Sequence, residues 1–222
     1  MLFRAKNMEK KVSASVVNRL PRYYRYLTDL LASGVERISS KELSEKMQVT
    51  ASQIRQDLNC FGGFGQQGYG YNVSSLQAEI GQILGLNQGY TAILVGAGNM
   101  GRTFATNTKF EARGFQLIGV FDSDAKKVGT ALAGHTIQDY ATIQDFIAEK
   151  KPKMAILTVP KDAMHNVAEE LIGYGIRAFL NFSYTELSAA ENIAVENVHL
   201  SDSLMRLSYK LLEQDKTTEE EE

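Results

Sequence analysis

Residues 91–102, Thr-Ala-Ile-Leu-Val-Gly-Ala-Gly-Asn-Met-Gly-Arg, constrain the fold more than any other stretch of the chain. The apolar run predicts a buried strand, and Gly96, Gly98 and Gly101, spaced G-x-G-x-x-G, predict a tight turn running straight into a helix. The first glycine permits the turn, the second lets a pyrophosphate approach the backbone, and the third lets helix and strand pack closely. A helix starting near Asn99 points unpaired N–H groups and its positive dipole end at whatever lies over the turn, which suits a phosphate. The motif alone is weak. A second apolar strand runs to Phe121 and ends in Asp122, 21 residues beyond Gly101. That is close to the spacing of about 20 at which a carboxylate meets the adenosine ribose hydroxyls. Gly96, Ala97, Gly98, Asn99, Met100, Gly101 and Asp122 therefore form the heart of a predicted dinucleotide site. An acid at 122 repels a ribose phosphate and Ser123-Asp124 bring no arginine to hold one, so the expected cofactor is NAD(H) rather than NADP(H). The plain alternative is a glycine turn of an α/β domain that binds nothing.

The residues after Asp122 alternate as a parallel sheet requires. Tyr140–Lys150 reads as a helix, Met154–Pro160 as a buried strand, Lys161–Gly173 as an amphipathic helix and Ala178–Ser183 as a further strand. Such alternation predicts a Rossmann-type doubly wound sheet with ligands outside the carboxyl ends of its strands. Thr158, Val159, Pro160, Asn181 and Phe182 fall at those ends. They either line the nicotinamide side or simply begin loops.

Residues 16–33 read as a helix with Leu20, Tyr23, Tyr24, Leu27, Leu30 and Leu31 on one stripe and Arg19, Arg22 and Arg25 off it, with Pro21 marking the first turn of its main part and Gly34 ending it. Ser39-Ser-Lys-Glu42 and Thr50-Ala-Ser-Gln53 are two capping boxes, each opening a short helix, with Gln48-Val49 as the turn between them. Together they describe a helix-turn-helix. In its second helix Ala51, Ile54 and Leu58 face inward, which leaves Ser52, Gln53, Arg55, Gln56 and Asn59 for a ligand. Amide, hydroxyl and guanidinium groups are the chemistry that reads base edges in a major groove. Arg19 and Lys41 add candidate phosphate contacts. The run Phe61-Gly-Gly-Phe64-Gly-Gln66-Gln67-Gly-Tyr69-Gly-Tyr71 reads as the wing of a winged helix rather than a linker, anchored by its aromatics with Gln66-Gln67 at the tip. A small helical domain with a solvated basic face is the bland alternative. Ser74 is expected to cap a further helix carrying Leu76, Ile80, Ile83 and Leu84.

Charge divides the 222 residues. Residues 1–72 carry a net +5 and the remainder −7, although the whole chain sums to only −2. A basic front and an acidic back suggest two domains with different partners. The expected organisation is a winged-helix DNA-binding domain with its linker helix over 1–88 and a nucleotide domain over 89–200. A dimerisation helix over 201–214, capped by Ser201-Asp202-Ser203, and a disordered charged tail over 215–222 complete it. The helix presents Leu204, Leu207, Leu211 and Leu212, which must cover the chain's own sheet or a second copy. No apolar run reaches the roughly 18–20 residues of a membrane span and no signal-peptide core opens the chain, so a cytoplasmic location is expected. Cys60 is the only cysteine. With His135, His165 and His199 far apart, no metal site is expected. Cys60 reads as a small, partly buried core residue.

A winged helix, an NAD-type domain and a terminal amphipathic helix in this order resemble the Rex family of redox-sensing transcriptional repressors. The similarity runs from about Val12 to Leu212. It is most specific in Arg19-Leu-Pro-Arg-Tyr-Tyr-Arg25, Ser52–Leu58 with the following Phe-Gly wing, Gly96–Arg102, Thr158-Val-Pro160 and Val195-Glu-Asn-Val198. The resemblance implies a homodimer with exchanged terminal helices, bound to a palindromic double-stranded operator when NADH is low and released when NADH binds. It also implies a switch formed by Arg25 with the residues at positions 107 and 199. This chain departs from the pattern there and in the wing: Asn107 replaces a frequent tyrosine, His199 replaces a frequent aspartate, and Gln66-Gln67 stand where a basic residue is usual. Asp202, one turn on, is the candidate substitute partner for Arg25. An apolar pocket at Val159, Pro160 and Phe182 would disfavour the positive oxidised ring and so favour NADH. Two other readings stand beside this one. In the first the chain is an NAD-dependent oxidoreductase, for which His165, His199 or Lys161 would have to supply the proton. In the second it is a DNA-binding protein of the same build that has lost its redox response.

Overall fold

Pro21 lies in the first turn of the main N-terminal helix, as its position in the sequence suggests, and the residues before it form a separate short turn of helix. A proline inside a helix lacks the N–H and crowds the carbonyl four residues back, so helices tolerate it only in their first turn. In the computed structural model, which describes residues 12–61, 69–188 and 191–220, α1 (Ala14–Val17) accordingly stops, and α2 (Leu20–Ala32) restarts with Pro21 in its first turn. α2 buries Leu20, Tyr23, Leu27 and Leu30, and Gly34 at φ +75° ends it. β1 (Arg37–Ile38) leads to α3 (Ser40–Met47), whose capping box is complete: Glu42 N–H donates to Ser39 Oγ at 3.1 Å and Ser39 N–H to Glu42 Oε2 at 2.8 Å. Gln48 in the left-handed region makes the turn, and Thr50 caps α4 (Ala51–Asn59) by accepting the Gln53 N–H. The second expected box is only half formed, because the Gln53 amide turns to Asp57 instead of back to Thr50.

β2 (Tyr71–Asn72) pairs antiparallel with β1, and Gly70 permits the approach: a Cβ there would lie 2.6 Å from Ile38 O. Phe61 packs against the core and Tyr71 is buried, but Tyr69, expected as an anchor, is exposed. Phe64, Gln66 and Gln67 lie outside the described residues. α5 (Val73–Ile83) is capped by Asn72 rather than Ser74, since the Asn72 carbonyl oxygen accepts Ser75 N–H at 2.8 Å and so starts the helix earlier. Cys60 is exposed, its thiol donating to Gln56 O, because the last turn of α4 rotates it off the core stripe of Ile54 and Leu58.

The chain divides into two compact units between Asn87 and Gln88. The second is a seven-stranded sheet in the order β5-β6-β4-β3-β7-β8-β9. Its strands are β3 (Tyr90–Val95), β4 (Phe115–Asp122), β5 (Ala131–Leu132), β6 (His135–Asp139), β7 (Met154–Leu157), β8 (Ala178–Asn181) and β9 (Ala194–Asn197). All neighbours are parallel except β5 against β6. α6 (Asn99–Asn107), α7 (Ile143–Lys150) and α8 (Lys161–Gly173) cover its faces, with one core around Phe121 and Met164 and another around Leu94 and Ile156. The chain leaves β3 in one direction along the sheet and returns to β7 on the other side. This reversal opens a crevice at the strands' carboxyl ends. Alternation read from sequence misses β5 and β6, because each buries a single apolar residue and neither shows an apolar run. The terminal helix α9 spans Leu200–Glu220. It begins one residue before the expected cap, so Ser201–Ser203 form its first turn. Residues 215–220, expected to be a disordered tail, continue it. Lys216, at i+3 from Glu213, pairs with it at 3.0 Å and supports that last stretch.

One charged cluster holds the N-terminal unit together. Asp57, fully buried in α4, accepts Arg19 Nε at 2.6 Å and Nη2 at 2.8 Å, Tyr23 OH at 2.9 Å and Gln53 Nε2 at 2.8 Å. Arg19 and Gln53, both expected at DNA, also serve as partners of this carboxylate, which would be costly to bury alone, and both stay partly exposed. Burial pushes the Asp57 carboxyl up, but the hydrogen bonds from Arg19, Gln53 and Tyr23 and the guanidinium charge outweigh it and hold Asp57 below its ordinary value. A lowered folded value means stability that is full above the ordinary carboxylate range and is lost as pH falls through the folded value. Asp57→Ala is expected to destabilise the N-terminal unit by about 3 kcal/mol near neutral pH. The gap to wild type should narrow below about pH 4 as the wild-type carboxylate protonates. Urea unfolding followed at the tyrosines across pH measures both effects.

Candidate functional site

The glycine turn is held by backbone crowding that side chains would forbid. Gly96 sits at φ +98°, and a Cβ there would lie 2.7 Å from Thr158 O. A Cβ on Gly101 would penetrate Gly96 O and come within 2.7 Å of Thr158 Oγ1. Thr158 completes the joint from β7's side: its Oγ1 donates to Gly96 O at 2.6 Å and its N–H to Val95 O at 2.9 Å. Gly98 is different. Its φ of −74° is ordinary, nothing lies within 4 Å of a Cβ built on it, and it leaves the start of α6 without a side-chain cap. Open space over an uncapped helix N-terminus is the arrangement a pyrophosphate requires.

A cavity of about 560 Å³ lies over this turn at the carboxyl ends of the strands. Of the residues expected at the cofactor, Gly96, Gly98, Met100, Asp122, Thr158, Val159, Pro160 and Phe182 line it. Ala97 and Gly101 are buried beneath it, shaping the turn, and Asn99 is exposed. Asn181 does not line it. Its side chain is fully buried and committed to Ser183, Thr185 and Asn197, since the end of β8 needs partners for the loop that follows.

Asp122 Oδ2 accepts Ala97 N–H at 2.7 Å and Lys127 Nζ at 3.0 Å, and Oδ1 accepts Asp124 N–H at 2.8 Å. Burial raises its pKa, but the backbone N–H of Asp124, Lys127 and the N–H of Ala97 together bring it below the ordinary value, so it is an anion at neutral pH. The carboxylate both pins the glycine turn to the end of β4 and keeps acceptor capacity toward the cavity. Lys127 and Tyr140, which also line the cavity, carried no motif that sequence reasoning could use. Lys127 reaches Asp122 through a turn five residues on, and Tyr140, its hydroxyl donating to Glu170 Oε2 at 2.7 Å, arrives from a separate connection. Burial first, then Glu170, pushes the Tyr140 phenol well above its usual range, so it remains a donor. The lining therefore fits a dinucleotide: open space over Gly98 for phosphates, a fixed carboxylate for ribose hydroxyls, and Val159, Pro160 and Phe182 as an apolar end. Phe182 is seated against Phe104 of α6 with ring centroids 5.0 Å apart.

In the N-terminal unit Ser52, Arg55, Gln56 and Asn59 share the outer face of α4, and Lys41 is exposed on α3. Arg55 Nη1 donates to Ser40 Oγ at 3.0 Å, which steadies an exposed guanidinium. Of the expected switch residues, Arg25 is exposed on α2, and Asn107 caps its own helix by donating to Thr103 O at 2.9 Å. His199 and Asp202 are half-buried at the root of α9. No described group of three or more His, Cys, Asp or Glu is placed to hold a metal, and no described helix is long and apolar enough to cross a membrane.

A helix-turn-helix unit joined to a dinucleotide-type doubly wound sheet is the build of a ligand-responsive DNA-binding regulator. Comparison with known proteins agrees in both halves. A family profile described as "Putative DNA-binding protein N-terminus" matches residues 11–59, and one described as a CoA-binding domain matches residues 87–185. The chain is 52% identical over 205 residues to the redox-sensing transcriptional repressor Rex of Thermoanaerobacter pseudethanolicus, covering 92% of each protein. It is 48% identical to that of Clostridium perfringens strain SM101 over 92% of this chain and 97% of the relative. Among solved structures, RSP in complex with β-NAD+ and operator DNA matches with a TM-score of 0.85 at 50% identity, over 94% of this chain and 96% of that one. RSP in complex with β-NADH matches with a TM-score of 0.86 at 47% identity, over 95% and 99%. The chain belongs to the Rex family of redox-sensing transcriptional repressors. Its relatives are repressors rather than enzymes, which removes the catalytic roles considered for His165, His199 and Lys161.

The glycines separate folding from binding. Gly98→Ala is expected to melt within a degree or two of wild type while NADH affinity falls at least tenfold. Gly101→Ala should lower the melting temperature of the second unit by several degrees as well. Paired thermal melts and NADH titrations read the difference.

Proposed function

We propose that the chain is a repressor that binds operator DNA through its N-terminal unit and lets go when NADH occupies the cavity of the second unit. The observation that carries the reading is the coexistence of two sites in one chain so close to Rex repressors: the polar outer face of α4 and the glycine turn with its ionised Asp122. Ser52, Arg55, Gln56 and Asn59 supply direct contacts to base edges, and Lys41 supplies charge to phosphate. Arg19 and Gln53 act through Asp57, holding α4 in place.

NAD(H) is the cofactor the second unit suits. Gly98 and the start of α6 receive the pyrophosphate, Asp122 the ribose hydroxyls, and Val159, Pro160 and Phe182 the nicotinamide. NADH and NAD+ differ in the charge of that ring, and an apolar wall disfavours the charged form. Regulation requires the arrangement that cannot hold DNA to bind NADH more tightly, since equal affinities for both arrangements would shift nothing. Arg25, Asn107, His199 and Asp202 are the residues through which this bias is expressed, and work on operator DNA places the protein in the cytoplasm.

The reading also includes a homodimer. Leu204, Leu207, Leu211 and Leu212 of α9 are each more than half exposed, a larger apolar stripe than a monomer ordinarily leaves in water, and a two-fold partner suits a palindromic operator. Leu207→Glu combined with Leu211→Glu is expected to turn a dimer into a monomer in light scattering. An unchanged mass would remove α9 from the interface.

Gel shifts on a library of genomic palindromes, with and without NADH, test the central reading. A bound operator that is released by NADH and retained with NAD+ is expected. A bound operator that NADH leaves in place would make the chain a redox-insensitive binder. Arg55→Ala should weaken operator binding by about 1–3 kcal/mol if it reads a guanine, with little change on unrelated duplexes. Equal operator affinity for wild type and variant would take Arg55 out of the reading set.

A further inference from the structure

Neither Ser123 nor Asp124 brings a cation to Asp122, but the turn that follows them does. That turn closes back on itself. Lys127 N–H donates to Asp124 O at 2.8 Å, and Thr130 N–H and Oγ1 both donate to Lys127 O, at 3.0 and 2.7 Å. Gly129 N–H donates to Ile137 O at 2.9 Å and ties the turn to β6. The Lys127 side chain is thereby held in the cavity wall beside Asp122, Ser123 and Asp124. Its Nζ lies 3.0 Å from Asp122 Oδ2 and 3.7 Å from Asp124 Oδ2, and the side chain stays 31% exposed. Lys161, the other cation among the described lining residues, starts α8 beyond β7, on the far side of β3 from Asp122.

A carboxylate offers about four lone-pair positions. Ala97 N–H and Lys127 take Oδ2 and Asp124 N–H takes a place on Oδ1, which leaves Asp122 about one position for two ribose hydroxyls. The second hydroxyl needs another partner, and its oxygen can accept from an ammonium. Lys127 has three N–H donors, of which Asp122 holds one, and 3.7 Å to Asp124 is too long for a hydrogen bond. We propose that Lys127 is a cofactor-binding residue that reads the ribose diol together with Asp122, and that Asp122 is what keeps this cation from accepting a ribose phosphate. With both acids in place the corner carries two negative charges to one positive and repels NADPH, whereas without Asp122 the same ammonium faces a 2′-phosphate. The inference rests on the cavity being a dinucleotide site, as argued above, and adds the residue that sets its choice between NADH and NADPH.

Fluorescence titrations of the full chain with NADH and with NADPH test it, and thermal melts check that each variant is folded. Wild type is expected to favour NADH. Lys127→Met should weaken NADH binding about tenfold, and an unchanged affinity would take Lys127 out of the site. Asp122→Ser should lose affinity for NADH and gain it for NADPH, by about tenfold each way. Adding Lys127→Met to that variant should remove most of the NADPH gain, an effect that a lysine serving only to orient Asp122 would not have in a chain without Asp122. Asp122→Asn keeps an acceptor for Ala97 N–H without the charge, and it carries the comparison if the serine variant does not fold. A folded Asp122 variant that gains no NADPH affinity overturns the proposal, and so does a gain that survives the loss of Lys127. Either result leaves the dinucleotide reading standing. Wild-type protein that binds neither nucleotide would overturn that reading itself.

Discussion

Three backbones meet at the carboxyl ends of β3 and β7 with no room for a side chain between them. Gly96, Gly101 and Thr158 are close enough that a single Cβ at either glycine would displace main-chain atoms. From this crowding the rest of the second unit follows. α6 is set directly on the turn, its uncapped N-terminus opens over Gly98, and the reversal of strand order between β3 and β7 leaves a crevice with that N-terminus at its floor. Asp122 then locks the arrangement from the neighbouring strand by accepting Ala97 N–H, so the carboxylate at the cavity wall also holds the glycine turn at its floor.

The N-terminal unit is organised around a second buried aspartate. Asp57 gathers Arg19, Tyr23 and Gln53, and so fixes α4 against α2. The two carboxylates obey one rule: an anion taken out of water persists only where several donors surround it. They differ in what the rule leaves over. Asp122 faces a cavity and keeps a capacity to bind, whereas Asp57 faces inward and engages a partly exposed arginine and glutamine. The polar face of α4 is thereby carried by a helix fixed against α2.

Much of this was legible in the residues. The glycine spacing, the acid after β4 and the Ser39 box each correspond to a local backbone requirement that few residue types satisfy. Less legible was anything that depends on a partner far along the chain. Arg19 lies 38 residues from Asp57, and nothing in a run of arginines marks the one that turns inward. Asn181 sits at the end of a strand, where ligands are usual, but its amide answers to Asn197 and the loop between them. β5 and β6 each bury one apolar residue and so show no apolar run, and Lys127 and Tyr140 reach the cavity only because turns and connections outside the motif bring them there.

Sequence by itself determined the architecture and the chemistry of the glycine turn, because backbone conformation, helix capping and apolar periodicity are local and leave their mark in consecutive residues. Tertiary structure alone decided which polar side chains face a ligand and which face each other. A guanidinium or an amide has the same formula in both places, and its role is settled by whichever buried charge or unpaired backbone group the fold sets beside it.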